Sequence, residues 1–223
     1  MIGPDIHVEV AELEVAPAAV ERARAILAAD ESRRAARFLR DEDRSRFVAA
    51  RAMLRRILGR ALGVAPETVA FVYGPHGKPA LAPPWAESGV RFNLSHSGGR
   101  AMVAWTVGRE LGADLELVRP VRYREKIAGR FFSVEEQTAF AGLDAALWDE
   151  TFFRCWTRKE AFIKAIGDGL SYPLQSFSVP MDAASSDAPV RVHGDEVASG
   201  RWFLSTVDAG PGFLAALVGE RRV

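Results

Sequence analysis

The chain has 223 residues, 48% hydrophobic and 26% charged, and its 29 Lys plus Arg are balanced by 29 Asp plus Glu. That is the make-up of a globular protein with an adequate core, as one larger domain or two small ones, and net charge singles out no partner and no nucleic acid. Cys155 is the only cysteine, which excludes an internal disulfide and a zinc–thiolate cluster. The opening MIGPDIHVEV lacks a basic-then-apolar leader, and no apolar run approaches membrane-spanning length. The expectation is a soluble, cytoplasmic protein with no membrane partner.

In chain order, Ile6–Leu13 is expected to be a strand and Ala18–Ala28 a short helix. Ten arginines fall between residues 33 and 60, against the acids Asp41, Glu42 and Asp43. A basic region in a neutral chain suits a polyphosphate ligand, although a solvated helix face with charge pairs explains any single arginine equally well. Asp41 and Asp43 can cap a longer helix. In it Phe47, Ala50, Leu54, Ile57, Leu58 and Ala61 follow helical spacing, leaving most arginines outside the buried stripe, until Gly63 ends it. A strand at Val69–Tyr73 leads into the turn GPHGKP, Gly74–Pro79. Val90–Leu94 alternates apolar and polar residues as a half-buried strand does, and Ser97–Arg100 reads as a hairpin turn into the strand Ala101–Val107.

A second series then begins. Leu111–Val118 alternates, helices are predicted near 134–142 and 150–166, and strands near Ser176–Val179, Trp202–Val207 and Phe213–Val218. Gly210-Pro211-Gly212 supplies the last hairpin turn. Residues 181–200, rich in Ala, Ser, Asp and Gly, read as a loose loop. Strand, helices and antiparallel strands thus occur twice, dividing near Gly108. The predicted fold class is α+β and pseudo-duplicated, with two similar subdomains (1–108 and 109–223), each an antiparallel sheet with packed helices, and a ligand cleft between them.

Three segments carry candidate chemistry. In Leu111-Gly112-Ala113-Asp114-Leu115-Glu116-Leu117, the residues Leu111, Ala113, Leu115 and Leu117 form one apolar row. Asp114 and Glu116 project from the other face, roughly 7 Å apart. Two such carboxylates repel unless a cation lies between them, and hard oxygen ligands suit magnesium. Taken alone, the segment favours an amphipathic strand with a wet acidic face. In Trp156-Thr157-Arg158-Lys159-Glu160-Ala161-Phe162-Ile163-Lys164, Trp156, Glu160 and Lys164 share a helix face, with Lys159 beside them. Glu160 and Lys164 at i, i+4 form a favourable helix ion pair worth about 0.3–0.5 kcal/mol. The competing reading places Glu160 on a metal or a substrate hydroxyl and Lys164 on a phosphate. Gly167 is expected to cap this helix in the left-handed conformation. In Asn93-Leu94-Ser95-His96-Ser97-Gly98, adjacent Ser95 and His96 point apart on a strand, and the glycines of a nucleophile elbow are missing. Phosphate binding at a strand end is the alternative.

Together FNLSHS (Phe92–Ser97), GADLE (Gly112–Glu116), RFFSVEE (Arg130–Glu136), WTRKEAFIKAIGDGLS (Trp156–Ser171) and PLQSFSV (Pro173–Val179) resemble the Sfp-type 4′-phosphopantetheinyl transferases. The resemblance is clear over residues 72–179, weaker over 31–58 and faint at both ends. It implies two α+β subdomains with coenzyme A and Mg²⁺ between them, and a 4′-phosphopantetheine moiety moved from coenzyme A to a serine of an apo acyl or peptidyl carrier protein. It further implies Asp114, Glu116 and Glu160 as metal ligands and Glu160 and Lys164 as catalytic groups. Arg34, Arg46, Lys78, Ser95, His96, Lys159 and Lys164 are implied at coenzyme A. Metal and catalytic residues would then lie in the second subdomain, nucleotide-end and carrier contacts in the first, and the chain would act as a monomer. Glu136 is placed near the metal by this likeness, although Ser133-Val134-Glu135-Glu136 is also a complete capping box. A magnesium-dependent phosphohydrolase, or a non-catalytic coenzyme A- or carrier-binding module, are the alternative functions.

Overall fold

A computed structural model describes residues 5–183 and 188–222. The first half runs β1 (His7–Glu12), α1 (Pro17–Arg24), α2 (Ala29–Ala35) and α3 (Asp41–Leu62), then β2 (Phe71–Tyr73), β3 (Pro79–Leu81), β4 (Val90–Ser97) and β5 (Arg100–Val107). The second half runs β6 (Leu111–Leu117), α4 (Arg124–Phe131), α5 (Val134–Ala141) and α6 (Trp148–Ile166). It continues through β7 (Phe177–Ser178), β8 (Ala188–Pro189), β9 (Arg191–Val192), α7 (Glu196–Arg201), β10 (Trp202–Val207) and β11 (Phe213–Glu220).

The two halves share a plan. In the first, sheet order is β1-β5-β4, so the opening strand pairs with the closing one. In the second it is β6-β11-β10-β8, again with opening beside closing strand, and all these pairs are antiparallel. Each half spends its long helix on covering its sheet. Leu54, Ile57 and Leu58 of α3 pack with Phe92 and Val103, while Phe162 and Ile163 of α6 pack with Ala216 and Val218. Between the sheets, Met102 and Ala104 of β5 meet Leu111, Ala113 and Leu115 of β6. The architecture is the pseudo-duplicated α+β arrangement expected from the repeated element order.

Several local readings are corrected. The predicted strand Val69–Tyr73 starts only at Phe71, after a turn at Pro66–Thr68, and the first helix stops at Arg24. Helices α2 and α4 went unread because each is too short to display a full apolar period. Asp41 and Asp43 stand in the first turn of α3, where they complement its dipole, but Arg40 holds the cap position with no side-chain bond. Most arginines of α3 do lie outside its buried stripe, but Arg51 and Arg55 are buried, 6% and 1% exposed. The reason is Glu31 on α2, itself buried, which accepts from Arg51 Nε at 2.8 Å and from Arg55 Nε at 2.6 Å. Within 181–200 the expected loop holds β8, β9 and α7, with Asp195 capping α7 through Ala198 N and Ser199 tying it to Val192. Residues 184–187 of that stretch lie outside the described residues.

Candidate active site

The site forms where β6, α6 and the end of β4 converge. Side chains alternate along β6, so Leu111, Ala113 and Leu115 enter the core while Gly112, Asp114 and Glu116 face the other way. Gly112 is required there for close approach, because a Cβ would overlap Ala161 O and Ala165 N of α6. That contact brings Lys164 to Asp114. Its Nζ donates to Asp114 Oδ1 at 2.6 Å and to Ser95 Oγ at 3.2 Å. The i, i+4 pair with Glu160 therefore does not form. Gly167 closes the helix in the left-handed conformation, φ 88°.

Asp114 is 4% exposed, so the wet-strand reading fails at this position. Its Oδ1 also accepts from Ser95 Oγ at 2.8 Å, whereas Oδ2 is buried without a hydrogen-bond partner. An orphaned carboxylate oxygen is costly unless something absent from the polypeptide completes it. Half-buried Glu116 accepts from Ser97 Oγ at 2.6 Å. Its pKa is raised by desolvation first and by Asp114, against the lowering effect of the Ser97 hydrogen bond. Glu160 is half-buried and makes no hydrogen bond or ion pair among the described residues. Desolvation, assisted by Asp114 and Glu116 and opposed by Lys164, lifts it from the ordinary value near 4.5 to about 7.

Three mutually repelling carboxylates and one orphaned oxygen fit a hard divalent cation, which takes oxygen ligands. Among the described residues they do not close into a ready-made metal cluster, and Lys164 is the charge that balances Asp114.

Two adjoining cavities, each of about 490 Å³, share Gly77, Pro79 and Leu94 as a common wall. Glu160 and Lys164 line the first. Arg34, Arg46, His96 and Ser97 line the second. Arg34 lies over the Phe47 ring at 5.3 Å, and Arg46 is paired with Glu14 at 2.7 Å and with Glu42. The pKa of His96 is lowered, by desolvation first and then by Lys164 and Arg34.

A family model described as the 4′-phosphopantetheinyl transferase superfamily matches residues 110–217, and one for the 4′-phosphopantetheinyl transferase N-terminal region matches 14–107. The 4′-phosphopantetheinyl transferase HetI of a Nostoc species is 42% identical over 77% of this chain and 72% of its own. The chain belongs to the 4′-phosphopantetheinyl transferase superfamily. The transferase Sfp of Bacillus subtilis is 29% identical over 88% of this chain and 84% of its own. Among solved structures, the holo-[acyl-carrier-protein] synthase of Thermotoga maritima aligns with TM-score 0.41 and 24% identity, over 51% of this chain and 64% of that one, a likeness too partial to decide anything here.

Within this superfamily member Lys78, Glu160 and Lys164 line one cavity and Arg34, Arg46 and His96 the other, with Asp114 buried against Lys164 and Glu116 two residues along β6. Two residues implied at coenzyme A, Lys159 and Ser95, turn elsewhere, and Lys78 reaches the cavity with its ammonium engaged by α6. Lys159 is fully buried, ion-paired with Glu136 at 2.8 Å, and donates to the carbonyls of Leu174 and Phe177. It sits on the core side of α6, because one residue of helix rotates a side chain by about 100° from Glu160. Lys78 aims its ammonium at Lys164 O, 2.6 Å away, and at Ala165 O, and pairs with Glu110 at 3.6 Å. Those carbonyls end α6, and a cation there complements the helix dipole. Ser95 is 6% exposed and its hydroxyl is directed at Asp114. Glu136 is likewise interior: it accepts from Ser133 N, Val179 N and Lys159, so it caps α5 and braces the core away from the cleft. The sequence reading missed Gly112 and Ser97 as builders of the site, and Asn93 as part of the strand-to-strand seam beside it. The signal available was the period-two run Asn93, Ser95, Ser97 opposite the period-two run Asp114, Glu116.

Proposed function

We propose that this chain transfers the 4′-phosphopantetheine moiety of coenzyme A to a serine hydroxyl of an apo acyl or peptidyl carrier protein, releasing 3′,5′-ADP. The observation that carries the reading is Asp114 Oδ2, buried and unpartnered beside Lys164, Glu116 and Glu160 in a superfamily member. Residues 1–108 supply the Arg34, Arg46 and His96 side of the cleft and residues 109–223 the carboxylates and Lys164.

The cleft's own residues divide the work. Arg34, Arg46 and His96 bind the nucleotide end, the arginines through planar forks suited to phosphate. Glu160 accepts the proton from the acceptor serine Oγ, a role that suits a carboxylate lifted to about 7. Lys164 Nζ lies at the cleft floor, placed to balance charge on the departing phosphate. Mg²⁺, held by Asp114, Glu116 and Glu160, would supply charge neutralisation on the pyrophosphate.

The direct test is mass spectrometry of apo carrier proteins incubated with the chain, coenzyme A and Mg²⁺. A gain of one phosphopantetheine is expected. Cleavage of coenzyme A with no acceptor present, and no modified carrier, would establish a phosphohydrolase instead.

Two further outcomes are expected. Arg46→Ala raises the KM for coenzyme A more than it lowers kcat, because the contact is remote from the reacting phosphorus. If only the KM for the carrier moved, this basic wall would be a docking surface. The second concerns pH. Glu160 binds its proton more tightly folded than unfolded, so between about 4.5 and 7 the folded state holds more protons. Its contribution to stability is therefore lost as pH rises through that window. Urea unfolding should show this decline in cation-free protein, and Glu160→Gln should flatten it. Added Mg²⁺ should raise the melting temperature more at pH 8 than at pH 6, since only the ionised carboxylates are ligands.

A further inference from the structure

Strands β4 and β6 belong to different sheets, so no backbone ladder joins the two subdomains at this seam. Side chains replace it. Asn93 Oδ1 accepts from Ala113 N at 3.1 Å, Ser95 Oγ from Leu115 N at 3.2 Å, and Ser97 Oγ from Leu117 N at 3.3 Å. Three alternate residues of β4 thereby meet three alternate amides of β6 in constant register.

The direction of every remaining bond follows from what each group is able to do. An amide N–H and an ammonium only donate, and an ionised carboxylate only accepts. A serine hydroxyl has one proton and two lone pairs. At Ser97 the amide of Leu117 uses a lone pair, so the proton goes to Glu116 Oε2, 2.6 Å away. At Ser95 the lone pairs take Leu115 N and Lys164 Nζ, and the proton goes to Asp114 Oδ1. The Ser95 hydroxyl is then saturated and has nothing left for a phosphate oxygen. Each carboxylate is held by one oxygen only. Asp114 Oδ2 is left buried and unpartnered, and Glu116 Oε1 accepts no hydrogen bond among the described residues.

We propose that Ser95 and Ser97 are positioning residues that, from one subdomain, fix Asp114 and Glu116 of the other so that Oδ2 and Oε1 are the oxygens offered to a divalent cation. The inference rests on the proposed function, and gives Ser95 a role different from the coenzyme A contact implied by resemblance. Asn93 belongs to the same ladder but touches no carboxylate, which provides an internal control.

The test is Mn²⁺ binding, read from the electron paramagnetic resonance of the free ion, alongside the melting temperature in cation-free buffer. Ser97→Ala and Ser95→Ala should each weaken Mn²⁺ binding by about tenfold or more, as loss of a ligand-orienting partner does. Ser97→Thr keeps the hydroxyl and should restore it. Asn93→Ala should lower the melting temperature yet leave Mn²⁺ affinity at the wild-type value. Ser97 is only half-buried, so its arm stands even if the buried Ser95 variant does not fold. Mn²⁺ affinity unchanged in Ser97→Ala, or weakened as much by Asn93→Ala, would overturn the proposal. So would Ser95→Ala raising the KM for coenzyme A with Mn²⁺ affinity intact. A wild-type chain that modifies carrier with no divalent cation would remove the metal from the proposed function as well, and that failure is visible in the wild type alone.

Discussion

Glu160→Gln is expected to lower turnover by about a hundredfold or more while the chain stays folded and binds coenzyme A. Gln has nearly the same size and helix propensity, and Glu160 gives up no hydrogen bond or ion pair among the described residues. Nothing structural therefore depends on its charge. Removing that charge should even relieve repulsion, since Asp114, Glu116 and desolvation all act against ionised Glu160. A residue that costs stability in its ionised form and lines the cleft beside Lys164 is the signature of a site serving chemistry. Melting temperature and carrier modification must be measured on the same preparation. A variant that is folded, binds coenzyme A and still modifies carrier near the normal rate would defeat the assignment of Glu160 as proton acceptor.

Lys159→Met is expected to have the opposite profile, a loss of about 3–5 kcal/mol in stability with little change in coenzyme A affinity of the folded protein. Lys159 and Glu136 are 0% and 2% exposed, and the ammonium also bonds Leu174 O and Phe177 O and lies 4.1 Å from the centre of the Phe177 ring. Methionine fills the same space but takes from the buried Glu136 carboxyl its ion-pair partner, and leaves two carbonyls without the ammonium. Urea unfolding measures the loss. A stability change under about 1 kcal/mol together with a raised KM for coenzyme A would return Lys159 to the cleft.

The two lysines of α6 show where sequence reading reaches its limit. Helical spacing put Glu160 and Lys164 on one face, and that is where they lie. Spacing also proposed that they pair, but Lys164 bonds Asp114, fifty residues away in sequence. Lys159 is adjacent to Glu160 in sequence and was grouped with it, although one step of helix turns it into the core. The strand reading at β6 located both carboxylates, yet it pictured a wet face, because periodicity does not report that α6 covers that face through Gly112. Similarly, the apolar stripe of α3 does not report which of its arginines are buried. Glu31, on a helix too short to be recognised, draws Arg51 and Arg55 inside.

What the sequence determined by itself was the repeated element order, the alternation that sets Asp114 and Glu116 on one side of a strand, and the helix that carries Glu160 and Lys164. These are properties of a single element, where the covalent repeat of 2.0 or 3.6 residues dictates which side chains are neighbours. The tertiary structure alone decided which charge meets which partner: Lys164 with Asp114, Lys159 with Glu136, Lys78 with the end of α6, and Ser95 and Ser97 with the carboxylates across the seam. Such pairings depend on how closely separate elements approach and on how much water remains between them. Coulomb energy and desolvation change several-fold over a few ångströms, and no spacing within one element encodes that distance.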